Sequence, residues 1–85
     1  MTVSLVEMKE GQSGTIVHIQ GGRGIAGKLY SLGLRPGKKV TKVSGLFHGG
    51  PVVVKVDGFQ LAIGYGKALQ IFVQVNGNGQ VNANE

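Results

Sequence analysis

Eighty-five residues make one domain, and a chain of that length buries only about 60–65% of the surface its unfolded form exposes, which leaves a modest core and no deep, water-excluding catalytic pocket. The absence of cysteine excludes disulfide staples, thiolate metal sites and thiol nucleophiles, and a reducing, cytoplasmic location is expected. Nine Lys and Arg against four Asp and Glu give a net charge of +5, but charged residues are only 15% of the chain and cluster only from Arg35 to Lys42, so the charge reads first as solubility and second as steering toward an acidic surface.

At the start, Met1-Thr2-Val3-Ser4-Leu5 lacks the basic and apolar regions of a secretory leader, and no apolar run is long enough for a membrane span. Ser4-Leu5-Val6-Glu7 has the S-x-x-E spacing of a capping box and predicts one helical turn over 5–8, ended by Gly11. A first strand follows over 14–19, with Ile16 and either Val17 or Ile19 facing inward. Next comes one short helix over 25–32. Ile25, Leu29 and Leu32 fall at i, i+4 and i+7 and give it an apolar stripe. Gly33 sits where a left-handed C′ residue belongs, with Leu34 placed to touch Leu29 in a Schellman-type ending. Pro36-Gly37 suits the central positions of a type II turn.

Residues 38–47 read as a long second strand, bent near Val43-Ser44-Gly45 and running into the apolar-tipped loop Leu46-Phe47-His48-Gly49-Gly50. The segments 51–56 and 59–63 predict a hairpin closed by Asp57-Gly58 in a type I′ turn, with Val52, Val54 and Val56 sharing a face with Leu61 and Ile63. A corner with a one-turn helix over 65–69 precedes a last strand over 71–75. The polar segment 76–85 is expected to be a disordered tail. Five short strands, long corners and sixteen glycines describe a mainly β protein: one domain over 1–75, a small SH3-like five-stranded barrel with one inserted helix.

Several chemistries can be weighed against the residues present. Gly22-Arg23-Gly24-Ile25-Ala26-Gly27 matches G-x-G-x-x-G after a strand and opening a helix, the formal context of a dinucleotide site. No acidic residue follows about twenty positions on to hold a ribose, and the chain is too short for paired βαβ halves, so these glycines read as turn and close-packing devices. His18 and His48 are the only imidazoles, and no metal-ligand spacing joins them to an acid. His18 is expected to be a structural histidine, and weak metal binding at either histidine stays open. The serines have no histidine and acid constellation, so no catalytic, cofactor or metal residue is assigned. Arg35, Lys38, Lys39 and Lys42 suit phosphate contacts, which keeps a small basic nucleic-acid-binding barrel as the alternative. The five dispersed aromatics make a poor stacking platform for it.

The ordered set Leu5-x-x-Met8-x-x-Gly11, Leu29-x-x-Leu32-Gly33-Leu34-x-Pro36-Gly37, Pro51-Val52-Val53-Val54-x-Val56-x-Gly58 and Leu61-Ala62-x-Gly64 with Ala68, Ile71 and Val73 resembles the FeoA family of ferrous iron transport accessory proteins, over about residues 5–75. The resemblance implies an SH3-like barrel, iron transport rather than enzymatic catalysis, and a cytoplasmic partner role beside the membrane transporter FeoB, which carries a GTP-binding domain. On that implication Leu46, Phe47 and His48 at the loop tip, with Lys28, Tyr30 and Arg35 beside the helix, are the candidate partner-binding residues. Whether the partner's GTP hydrolysis or its assembly is affected stays open, as does weak self-association.

Overall fold

The computed structural model describes residues 1–45 and 49–75. In chain order it holds β1 (Thr2–Ser4), β2 (Ser13–Ile19), α1 (Arg23–Ser31), β3 (Lys39–Ser44), β4 (Val52–Val56), β5 (Phe59–Ile63), α2 (Tyr65–Ala68) and β6 (Ile71–Val75). Every strand pairing is antiparallel, and the sheet order is β1-β6-β2-β3-β4-β5. The mainly β architecture follows the expectation, with one strand more than the five expected. The extra strand is β1, which pairs Thr2 with Gln74 and Ser4 with Phe72. Three residues are too few to display a period of two, so it leaves no sequence signal.

The β4–β5 hairpin turns on Asp57 (φ 51°) and Gly58 (φ 86°), the two positive φ values of a type I′ turn. Alternation then sends Val52, Val54, Val56 and Ile63 into the core, where they meet Ile16 and Val40 from neighbouring strands. In β2 the alternation is interrupted, because the register with β6 shifts between Ile16 and His18. That bulge turns Val17 outward and brings Ile19 back against the core, which decides between the two inward candidates. β2 and β6 also approach closely at Gly14, where a Cβ would lie 2.6 Å from the Gln74 carbonyl oxygen, so a side chain does not fit there.

The expected helical turn over 5–8 forms as a single capping-box turn. The N–H groups of Glu7 and Met8 both donate to the Ser4 carbonyl, at 3.0 and 3.2 Å. Glu7 Oε1 accepts the Ser4 N–H at 3.0 Å, and Ser4 Oγ accepts the Glu7 N–H at 3.3 Å. Leu5 and Met8, three apart, both reach the core from this one turn. The α1 helix begins and ends earlier than the apolar stripe suggested. Leu32 is its C-cap residue (φ −90°, ψ 0°) and is 43% exposed, because the helix has ended before the stripe can carry it inward. The ending is a full Schellman motif. Leu34 N–H donates to the Leu29 carbonyl at 2.9 Å and Gly33 N–H to the Tyr30 carbonyl at 2.9 Å. Gly33 stands at φ 90°. Leu29 and Leu34 are both buried, so the motif pins the helix end to the core.

Candidate interaction surface

The α1 helix is held through Leu29, with Ile25 and Ala26 half-buried along the same side. The rest of its circumference faces outward. Arg23, Gly24, Gly27, Lys28, Tyr30 and Ser31 are exposed, and Leu32 and Arg35 follow in the same state. Tyr30 is 46% exposed, a large amphipathic ring with one side free. Of the proposed contact residues, Lys28, Tyr30 and Arg35 therefore all lie at the surface. Lys28 and Tyr30 are two positions apart on a helix, so they point about 200° apart and do not form one patch side by side. Leu46, Phe47 and His48 lie outside the described residues.

The entry to α1 is chemically bare. Gly22 is the N-cap residue without a side-chain hydrogen bond, and no acid occupies the first turn. A Cβ at Gly22, Gly24 or Gly27 would meet nothing within 4 Å. The close-packing role expected for these glycines therefore does not hold. Of the glycines from Gly21 to Gly27, only Gly21, at φ 121°, has a backbone conformation that favours glycine.

The basic cluster of the sequence is taken apart by the fold. Arg35 and Lys39 are exposed, and Lys38 Nζ pairs with Asp57 Oδ2 at 2.9 Å. Lys42 is buried, and its Nζ donates to the Val6 carbonyl at 2.9 Å and to the Met8 carbonyl at 2.7 Å. Desolvation pulls the Lys42 pKa below its ordinary value, with the charge of Glu10 opposing the shift. This lysine closes the Ser4–Met8 turn from the sheet side and is no phosphate ligand. A signal for its burial existed: Lys42 is two residues from Val40 on one strand, so both take the same inward face.

His18 lies in the β2 bulge with its ring stacked on Phe72, centroids 6.0 Å apart and planes at 25°. Among the described residues no three His, Asp or Glu side chains are grouped to hold a metal, and no helix is long and apolar enough to cross a membrane.

A six-stranded antiparallel sheet with one helix pinned in the connection between the neighbouring strands β2 and β3 belongs to the SH3-like class of small modules. Residues 3–75 match the FeoA domain, and the chain belongs to that family. It is 33% identical over 66 residues, 78% of each chain, to the "Putative Fe(2+) transport protein A" of Methanocaldococcus jannaschii. A crystal structure described as an iron uptake regulatory protein, FeoA, superimposes with a TM-score of 0.83 at 37% identity, covering 89% of this chain and all of the other. The solution structure of FeoA from Chlorobium tepidum gives 0.79 at 25% identity over 89% of this chain and 73% of that one. A manganese-dependent transcriptional repressor shares the fold alone, with a TM-score of 0.80 at 18% identity over 88% of this chain and 42% of the repressor.

Proposed function

We propose that this protein is a cytoplasmic accessory factor of ferrous iron uptake that binds the GTP-binding part of a FeoB-type membrane transporter through protein–protein contacts. Membership of the FeoA family over residues 3–75 carries the reading. The surface supports it: α1 is anchored by Leu29 and Leu34 while Tyr30, Leu32 and Arg35 stay exposed on and just past its end, with Lys28 exposed on another side of the helix. The nucleic-acid alternative loses ground, because Lys42 is buried and Lys38 is paired, which leaves Arg35 and Lys39 of the four cations counted for it.

The test is a calorimetric titration of the intact protein with the transporter's GTP-binding domain. Wild-type binding with at least about tenfold loss in Tyr30→Glu is expected, since that change places a carboxylate on an aromatic contact. Absence of wild-type binding overturns the reading. Unchanged binding in Tyr30→Glu keeps the partner and removes α1 as its contact.

A further inference from the structure

The two edges of the sheet are guarded unequally. An edge strand presents unpaired N–H and C=O groups, and proteins blunt such edges by shortness, charge, proline or a bulge. On one side β1 is only three residues long, and its Thr2 Oγ1 donates to Gln74 Oε1 at 3.0 Å. On the other side β5 runs for five residues, Phe59-Gln60-Leu61-Ala62-Ile63, without charge, proline or a shift of register against β4.

The hairpin turn fixes which backbone groups of β5 are free. A two-residue type I′ loop makes Val56 and Phe59 the closing hydrogen-bonded pair, and such pairs alternate along the ladder. Phe59, Leu61 and Ile63 therefore bond to β4, while Gln60 and Ala62 point their N–H and C=O groups away from it. Both residues are exposed, so no described element covers the edge. Beside it Phe59, on the inward row but past the end of the core, is 50% exposed.

We propose that β5 is a docking edge that takes up an extended acidic segment of a partner protein as a seventh strand. Charge selects this occupant. Of the described acids, Glu7 accepts the Ser4 N–H, Asp57 is paired with Lys38 at 2.9 Å and Glu10 interacts with the Lys42 charge. Lys55, directly opposite Gln60 on β4, is exposed and positive. An added strand lies roughly 10 Å from β4, two strand spacings, within the combined reach of a lysine and a glutamate side chain. Alternating apolar residues of the same segment meet Phe59 and the half-buried Leu61. A second copy of this chain fits less well. It brings a further +5, and two five-residue strands fall short of the about 800 Å² per partner of a stable interface. The inference concerns a sheet edge and does not rest on the transporter reading, which concerns α1.

An isotope-labelled sample of the full chain, titrated with a short blocked peptide of alternating Glu and Val, tests it by NMR. The Gln60 and Ala62 amide signals are expected to move, with binding about tenfold weaker for the Lys–Val counterpart. Ala62→Pro removes one outward N–H and no ladder bond, and should abolish the shifts with the fold intact. Should that variant unfold, Ala62→Lys, which charges the edge and leaves the backbone alone, decides the matter. Shifts absent at millimolar peptide, located away from β5 or equal for both peptides overturn the proposal. So do β5 shifts that depend on protein concentration without peptide, which would make a second copy the occupant.

Discussion

The Ser4–Met8 turn and the α1 helix are both short helical segments laid against the same sheet, and they treat their polar groups in opposite ways. In the turn, Ser4 and Glu7 cap each other and the Lys42 ammonium satisfies the Val6 and Met8 carbonyls, so a charged group is buried at tolerable cost. In α1, the N-terminus has no side-chain cap, three glycines line open space and the polar and aromatic side chains face outward. The first segment is closed on itself and serves stability. The second is anchored along one side through Ile25 and Leu29 and, just past its end, Leu34, and the rest of its circumference is exposed.

The largest test of that contrast is Leu34→Ala. Leu34 is fully buried and joins the Schellman ending to the core, so its truncation should cost about 2–5 kcal/mol in equilibrium denaturation. A cost under 1 kcal/mol would mean that α1 is not anchored there, and the reading of α1 as a contact surface would lose that support. Next in size is Lys42→Met. The buried Met8 carbonyl and the partly buried Val6 carbonyl lose their donor, and a loss of about 1–3 kcal/mol is expected.

The pH dependence of Lys42 sharpens the same point. Its folded-state pKa lies below the ordinary 10.5, so between those two values the unfolded chain binds more protons than the folded one. The cost of burying the charge is fully present below the folded pKa and is relieved as pH rises through the window toward 10.5. Denaturation midpoints of the wild type should therefore carry a rising alkaline component that Lys42→Met lacks. Identical slopes in the two proteins would show that the ammonium is not held in the desolvated site described.

Local chemistry was legible in the sequence, and long-range placement was not. The Asp57-Gly58 turn, the Gly33 helix stop and the Ser4–Glu7 box are each written within a few residues, and each appears as read. The box ends where its residues say: after Met8 the chain turns toward β3, and Gly11 N–H donates to the Lys42 carbonyl at 2.7 Å. The bulge that exposes Val17 depends on β6, more than fifty positions away, and alternation alone left the choice between Val17 and Ile19 undecided. The candidate surface suffered similarly. Lys38 and Asp57 are 19 positions apart, so their pairing was invisible to a count of clustered cations. Lys28 and Tyr30 were grouped by proximity in sequence, although the helical period already separates them. Lys42 could have been set apart by its parity with Val40, a signal outweighed by its charge.

The smallest effect bears on α1 most directly. Gly27 lies in the interior of the helix, its φ is not in the left-handed region, and a Cβ added there meets no atom within 4 Å. Nothing in the fold therefore opposes a side chain, and glycine at a helical position carries an entropic penalty relative to alanine. Gly27→Ala should stabilise the protein by about 0.4–1 kcal/mol, read as a raised denaturation midpoint with an unchanged slope. A destabilised variant would mean that this face of α1 packs against something after all, and the helix would then resemble the closed N-terminal turn. A stabilised one would leave the contrast standing, with a helix whose outer face is less stable than its backbone allows.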